Sequence, residues 1–370
     1  AAAAAGPGPA AAAAPAAGFH HVALVARDAR ATRAFYEDVL GLPLVHSEKG
    51  PGLTHAFFDS GAGSNMAFFS FEGRSNFCTD LSESLGVPQW VNRPAYRATR
   101  EQLEAVKGRL ARAGAQALEL RHRWCDSLYC LDPNGVLVEL CVDAPGFAPD
   151  AEGARRTLEA QPGAGAAAAE AGDFRERMAA LGRPLAPAPA DAAAKLGRGG
   201  NALPSTARPD AGFRHLTFST KDLLATRHFY EDLFGFPLVH CELEQWDGGW
   251  LKHAFFDIGR GSCIAFLAFQ GAGEREGWHS RLDEPCGLPA WANHAAFRAT
   301  REQVKTVRAR MEAEGIKPLM EMSHGWCYSL YYRDPSGIAV ELCVDTPGFE
   351  PDREEALRLW EGPAGAGASL

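Results

Sequence analysis

The chain contains two copies of one long sequence pattern, and this duplication constrains the fold more than any other feature. The segment Trp291–Gln303 repeats the segment Trp90–Gln102, with His294 in the second copy at the position that Arg93 occupies in the first. The ionisable residues on either side agree between the copies, and they form the pairs His21 and His215, His122 and His324, Tyr129 and Tyr331, and Glu139 and Glu341. The pattern predicts two related domains that differ by one histidine.

Composition indicates a soluble globular protein. A length of 370 residues suits two domains, and 46% hydrophobic with 22% charged residues is typical of chains with proper cores. The net charge of −9 argues against a nucleic-acid partner, and no apolar run reaches the roughly 18–20 residues that span a membrane. The nine cysteines include no C-x-x-C pair, which predicts free thiols in a reducing compartment.

We therefore expect a cytoplasmic protein. An organellar location after trimming of a precursor stays open, because the chain starts without Met and its first 18 residues are only Ala, Gly and Pro. The predicted organisation is a disordered tail over 1–18, a first domain over 19–150, an Ala/Gly/Pro-rich linker over 151–212 with one helical piece around Phe174–Leu181, a second domain over 213–352, and a tail over 353–370.

Each copy repeats a shorter rhythm of one strand, one helix and three strands. In the second copy, the alternation of Phe213–Ser219 predicts a strand and the spacing within Asp222–Phe234 predicts a helix. Thr300 and Gln303 form a capping box that opens a later helix. The remaining predicted strands are Gly235–His240, Leu251–Ile258, Cys263–Phe269, Ala292–Arg298, Lys317–Met322, Tyr328–Tyr332 and Ile338–Val344. Each copy is therefore predicted to contain two βαβββ units, which gives an α+β fold.

Three residues of the second copy carry ligand chemistry on separate strands. Glu341 lies in mid-strand on the face opposite the aliphatic residues, and His215 and His294 also lie opposite the larger apolar residues of their strands. Two imidazoles and one carboxylate form a facial ligand set for a divalent metal. A guanidinium has no lone pair to donate, so Arg93 cannot replace a ligating histidine. We expect the second copy to bind metal and the degenerate first copy to pair Arg93 with Glu139.

The segments F-R-H-L-T-F, N-H-A-A-F and S-L-Y-Y-R-D-P-S-G-I-A-V-E-L together resemble the vicinal oxygen chelate superfamily. That superfamily includes glyoxalases, extradiol dioxygenases, and fosfomycin- and bleomycin-resistance proteins. The resemblance implies two tandem domains, each of two βαβββ units forming an open curved mixed sheet around a metal-centred cavity. Carried over residue by residue, it implies that His215, His294 and Glu341 are the metal ligands.

The resemblance also implies an activity. Glyoxalases usually add a fourth ligand, a glutamate late in the first unit, but Cys263–Phe269 contains no carboxylate. Three ligands look more like the extradiol dioxygenases, with Fe(II) as the expected metal and Mn(II), Zn(II), Ni(II) or Co(II) as alternatives. Tyr331 and His324 are then the catalytic candidates, and the partner is a small aromatic or vicinal-diol substrate.

Two rival functions and the oligomeric state stay open at this point. The first rival is a metal-dependent isomerase, lyase or epimerase of the glyoxalase type, and the second is a binding or resistance protein without turnover. Fold resemblance cannot choose among them, since function depends on the site. A homodimer is an option that the sequence neither supports nor excludes.

Overall fold

The structure, a computed structural model, describes residues 18–74, 77–146, 148–162, 186–191, 211–282 and 287–361. The tail over 1–17 and the helical piece expected around Phe174–Leu181 lie outside these residues. Within the described part, the chain forms two eight-stranded mixed sheets with helices packed against them. This confirms the predicted α+β class. No described helix is long and apolar enough to cross a membrane.

Four βαβββ units follow one another along the chain, two in each repeat. Unit 1 comprises β1 Phe19–Val25, α1 Ala29–Arg33 with a π-helical continuation Ala34–Leu40, β2 Leu44–Gly50, β3 Leu53–Gly61 and β4 Ser64–Phe71. After the short helix α2 Leu81–Leu85, unit 2 comprises β5 Arg93–Arg97, α3 Arg100–Ala113, β6 Ala117–Arg121, β7 Cys125–Leu131 and β8 Leu137–Asp143.

The second repeat has the same order of elements. Helix α4 Ala151–Glu159 precedes it. Unit 3 comprises β9 Phe213–Ser219, α5 Leu223–Arg227 with a π-helical continuation His228–Leu233, β10 Leu238–Trp246, β11 Gly249–Gly259 and β12 Ser262–Gln270. Unit 4 comprises β13 His294–Arg298, α6 Arg301–Ala313, β14 Met320–Ser323, β15 Cys327–Arg333 and β16 Ala339–Asp345, and helix α7 Arg353–Glu361 follows.

The units of the two repeats exchange partners. Sheet A has the strand order β14-β15-β16-β13-β1-β4-β3-β2, so it joins unit 4 to unit 1. Sheet B has the order β10-β11-β12-β9-β5-β8-β7-β6 and joins unit 3 to unit 2. Each sheet therefore consists of two βαβββ units, as predicted, but the two units come from different repeats. The expectation that each repeat completes its own sheet does not match this strand order.

The junction of sheet A brings the first strand of the chain to the middle of the second repeat. Strand β1 pairs antiparallel with β13 on one side and parallel with β4 on the other. His21 lies opposite Ala296, and His294 lies opposite Ala23. Because residues two positions apart in a strand face the same side, this register directs both histidines to one face of the sheet.

Helices form where the sequence supplies caps and an apolar stripe. The capping box of Thr300 and Gln303 is present at the start of α6, as predicted, and Val304, Val307 and Met311 of that helix are buried. The apolar faces of the sheets and the helices share one large core. The opposite, concave face of each sheet carries the polar residues that the sequence singled out.

Two helices occupy segments that were predicted to lack regular structure. Helix α4 packs on β10 at the start of the predicted linker, and α7 packs on β2 at the start of the predicted tail. Trp360 of α7 is buried, contacts Phe58 edge-on, and donates its indole N–H to the carbonyl of Ala29. The burial of Ala356 and Trp360, one helical turn apart, explains why this short segment is ordered.

Candidate metal centre

Three buried side chains converge at the centre of sheet A. His21 on β1, His294 on β13 and Glu341 on β16 are each no more than 2% exposed. The Nε2 atoms of the two histidines are 2.9 Å apart, and Oε2 of Glu341 lies 3.5 Å from Nε2 of His21 and 3.3 Å from Nε2 of His294. The three residues could together hold a metal ion.

The sequence-based ligand set needs one correction. The structure brings His294 and Glu341 together, as expected, but places His215 on β9 of sheet B. His21, the counterpart of His215 in the first repeat, occupies the third position instead. The physical reason is the exchange of units, because β13 pairs with β1 and not with β9. The set His215, His294 and Glu341 is therefore not assembled in this fold.

Hydrogen bonds behind the two histidines determine which ring nitrogen faces the centre. The Nδ1 of His294 lies 2.7 Å from the carbonyl oxygen of Trp291, which can only accept a proton. Its Nδ1 is therefore the protonated nitrogen, and its Nε2 is left with a lone pair in the neutral ring.

A relay of two more residues has the same effect on His21. Its Nδ1 is 2.8 Å from Nδ1 of His20, and Nε2 of His20 is 3.0 Å from the carboxylate of Asp345. Burial lowers the pKa of His20 to about 3 and the pKa of His21 well below 6.5, so both rings are neutral. Since Asp345 accepts from Nε2 of His20, Nδ1 of His20 accepts from His21. Nε2 of His21 then also presents a lone pair.

A bulge in β1 makes this relay geometrically accessible. The pairing of β1 with β13 shifts between Phe19 and His21, so His20 is an extra residue in the strand. Neighbouring residues of a regular strand face opposite sides, but a bulge lets two of them turn to the same side. The short contact between the rings of His20 and His21 follows from this irregularity.

Glu341 completes the set as a charged acceptor. The hydroxyl of Ser329 donates to Oε1, whereas Oε2 makes no hydrogen bond among the described residues. Burial raises the pKa of this carboxyl group, but His21, His294 and Ser329 together outweigh burial and hold the pKa well below its usual range. The centre thus brings together a carboxylate oxygen and two imidazole nitrogens, and the other nitrogen of each imidazole has its own partner outside the centre.

The spacing of these donor atoms fits a bound cation. Ligand distances of about 2.0–2.1 Å place neighbouring donor atoms roughly 2.9–3.4 Å apart around a metal, depending on the coordination angle. The observed separations are 2.9, 3.3 and 3.5 Å. Three acceptors at this spacing in a buried site would repel one another without a cation between them. The donor set therefore fits a divalent metal.

Sheet B has a guanidinium at the equivalent place. Arg93 donates from Nε to Oε2 of Glu139 at 2.7 Å and from Nη1 to the carbonyl oxygen of Trp90 at 2.7 Å. The prediction that Arg93 pairs with Glu139 is confirmed. His215 lies beside them, with Nε2 3.4 Å from Oε2 of Glu139. Arg93 thus makes the backbone contact that His294 makes in sheet A. Its guanidinium also places a positive charge where a metal ion would lie in sheet A.

Tyr331 and His324 lie next to the centre of sheet A. Tyr331 is directly opposite Glu341 in the pairing of β15 with β16, and its ring centroid is 5.7 Å from that of His294. Burial, with the neighbouring Glu341, raises the pKa of the Tyr331 phenol well above 10, so the phenol stays protonated. Nε2 of His324 lies 3.3 Å from the phenolic oxygen. The structure thus places both residues at the site, and their catalytic role stays a prediction.

Sequence reasoning missed His20, Asp345 and Glu48, all of which lie beside the site. One signal was available for His20, because the second repeat has Arg214 at that position. Arg214 donates to Asp143 at 2.7 Å, as His20 contacts Asp345 in sheet A. At two equivalent positions, therefore, sheet A has a histidine where sheet B has an arginine. The pairs are His20 with Arg214 and His294 with Arg93.

Comparison with known proteins places this geometry in a family. The model of the Glyoxalase/Bleomycin resistance protein/Dioxygenase superfamily matches residues 18–140 and 212–342, which include all three candidate ligands. The chain belongs to this superfamily. Both matched regions extend over two βαβββ units each, so the duplication consists of superfamily domains.

Solved structures share the fold of this superfamily member at low sequence identity. A candidate dioxygenase from Bacillus subtilis is 17% identical, with a TM-score of 0.56, and the match covers 94% of this chain and 91% of that one. A single-residue variant of glyoxalase I from Zea mays is 13% identical, with a TM-score of 0.50, over 88% of this chain and 93% of that one. No curated protein matched the sequence. At these identities the likeness establishes the fold alone.

Proposed function

We propose that this protein is a metal-dependent dioxygenase of the extradiol type, with one Fe(II) or Mn(II) ion held by His21, His294 and Glu341. The observation that carries the proposal is the convergence of two imidazole nitrogens and a carboxylate oxygen within 3.5 Å of one another in a buried site. When bound, such a metal lowers the pKa of a substrate hydroxyl and holds the reactants together.

The number of ligands supports oxygen chemistry over isomerase chemistry. The strand of sheet A that would supply a fourth carboxylate is β4, and its residues on the side of the site are Asn65, Ala67 and Phe69, none of which carries a carboxylate. A ligand set of two histidines and one carboxylate is typical of non-haem Fe(II) oxygenases, because it leaves several positions for substrate and dioxygen. The three-ligand set therefore favours a bidentate substrate.

The apolar residues around the ligands support a neutral aromatic substrate. An apolar cluster lies around the ligands of sheet A and includes the aromatic residues Phe57, Phe69, Phe71, Phe77, Trp291 and Trp326. Besides burial, the pKa of His21 responds to Glu341 and to three neighbouring histidines. In sheet B, by contrast, the pKa of His215 responds to Glu139 and to the guanidinium groups of Arg93 and Arg214. Aromatic walls beside a metal suit a catechol better than an anionic substrate.

Tyr331 and His324 would handle the protons of such a substrate. The phenol of Tyr331 stays protonated and hydrogen-bonds the carboxylate of Glu341, and Nε2 of His324 is placed to exchange a proton with that phenol. A group with this function must lie within hydrogen-bond reach of the substrate proton. Tyr331 lies opposite Glu341 in the pairing of β15 with β16, and we expect it to reach a substrate bound at the metal without being a ligand itself.

The test is anaerobic purification and metal analysis, followed by oxygen uptake with a panel of catechols and other vicinal diols. The proposal predicts about one metal ion per chain. It also predicts that oxygen is consumed in proportion to the amount of diol that disappears. Turnover without oxygen uptake would instead support an isomerase or lyase with Zn, Ni or Co. Tight binding of an aromatic compound without turnover or metal would support a binding protein.

A further inference from the structure

Glu48 connects two parts of sheet A that are far apart in the strand order. It lies on β2, the last strand at one edge, whereas His324 and Trp326 lie in the turn between β14 and β15 at the other edge. Oε2 of Glu48 accepts a hydrogen bond from the indole N–H of Trp326 at 2.9 Å. The sheet therefore curls until its two edges meet, through this hydrogen bond of Glu48 and through the ring contact of His46 with Trp326.

Both carboxylate oxygens of Glu48 are engaged. Oε1 lies 3.2 Å from Nδ1 of His55 and 3.9 Å from Nδ1 of His324. Burial raises the pKa of Glu48, but the contacts with His55, Trp326 and His324 outweigh burial and lower it, so the side chain is ionised. Hydrogen bonds to an ionised acceptor are roughly twice as strong as those between neutral groups.

Trp326 lies between Glu48 and the residues around the metal centre. Its indole stacks on His324, with ring centroids 5.5 Å apart, and on His20, also at 5.5 Å. The distance of 3.9 Å between Glu48 and His324 is too long for a hydrogen bond, so Glu48 acts on His324 through charge and through the position of the indole. From Glu48, contacts continue through His324 to Tyr331, which lies opposite Glu341.

Sheet B carries the same residue types, and Trp124 stacks on His122 there with ring centroids 5.6 Å apart, as Trp326 stacks on His324 in sheet A. Glu242 lies opposite His253 as Glu48 lies opposite His55. Its carboxylate, however, lies 3.2 Å from Nε2 of His240, and Trp124, the counterpart of Trp326, stacks under the guanidinium of Arg214. Glu48, which bonds to His55 and Trp326, thus differs from Glu242 in its direct contacts, and Glu242 serves as the matched control.

We propose that Glu48 is a positioning residue, which holds the two edges of sheet A together and orients His324 toward Tyr331 through Trp326. The part of this inference that concerns His324 rests on the proposed function. The closure of the sheet edges does not.

The test uses the full, metal-loaded chain with Glu48→Gln and the matched control Glu242→Gln. Glutamine keeps the size of the side chain and removes its charge. Amide hydrogen exchange should become about 10-fold faster in residues 44–50 and 323–327 of Glu48→Gln, and Glu242→Gln should leave both segments unchanged. Unchanged exchange in Glu48→Gln would overturn the closure, whether or not the wild type turns over any diol.

Turnover tests the link to His324. We expect kcat of Glu48→Gln to fall about 10–100-fold at normal metal content, the size of effect typical of residues that orient active-site groups, while Glu242→Gln stays within about twofold. In a His324→Ala background, Glu48→Gln should cause no further loss, because residues that act through one another are not additive. An equal loss in both backgrounds, or full activity of Glu48→Gln, would refute the positioning role.

Discussion

The substitution Arg93→His should build a second metal site, in sheet B. Nε2 of His215 lies 3.4 Å from Oε2 of Glu139, which matches the 3.5 Å between His21 and Glu341 in sheet A. The carbonyl oxygen of Trp90, which now accepts from Arg93, is placed to accept from Nδ1 of the new imidazole. Two imidazole nitrogens and a buried carboxylate would then face one another as they do in sheet A.

The expected energies follow from the burial of Glu139. This residue is fully buried and Arg93 neutralises it, so removing the guanidinium strands a carboxylate at a cost of about 3–5 kcal/mol. A metal at 100 times its dissociation constant returns about 2.7 kcal/mol. The metal-free variant should therefore melt well below the wild type, and metal should restore most of the difference.

The new site should be weaker than the site in sheet A. Nδ1 of His215 has no hydrogen-bond partner among the described residues, because Arg214 occupies the position of His20. Loss of such a partner costs about 10–100-fold in metal affinity. Adding Arg214→His to the first substitution should recover part of that affinity.

The assay is metal content per chain with thermal melting in the presence and absence of Mn(II). Arg93→Leu is the control, since it removes the charge without adding a ligand and should stay at one metal per chain. The expected result for Arg93→His is about two metals per chain and a metal-dependent melting temperature. The reasoning fails if Arg93→His folds, binds a single metal, and melts at the same temperature with and without Mn(II).

Three further outcomes are expected. His21→Ala should abolish metal binding and His215→Ala should leave it at one per chain, as measured by elemental analysis; the reverse result would restore the sequence-based ligand set. Burial lowers the pKa of His215 to about 4, below its unfolded value of 6.5, so the unfolded state binds more protons between these values. Stability should be fully present above pH 6.5 and fall toward pH 4, by up to about 3 kcal/mol more than in His215→Gln in urea titrations; equal slopes would exclude a buried neutral histidine. Tyr331→Phe and His324→Ala should lower turnover by ~10²–10⁴-fold with near-normal metal content, and loss of metal in parallel would mean that these residues build the site.

Local patterns were sufficient for most elements of the fold. The strand Phe213–Ser219 has the predicted bounds, and the capping box at Thr300 starts its helix. These features depend on neighbours in the sequence, namely the period of apolar residues and the side chains that satisfy the first free N–H groups of a helix. Helices α4 and α7 escaped prediction because their short apolar stripes become stable only against β10 and β2.

The sequence by itself determined the four βαβββ units, the meeting of His294 with Glu341, and the pairing of Arg93 with Glu139. Only the tertiary structure decided that His21, and not His215, completes the candidate metal centre. These two histidines occupy the same position in the same strand pattern, so the spacing of apolar residues does not separate them. The choice depends on whether β13 pairs with β1 or with β9. Backbone hydrogen bonds between strand edges are similar for either partner, so the decision is made by side-chain packing across the whole of both sheets.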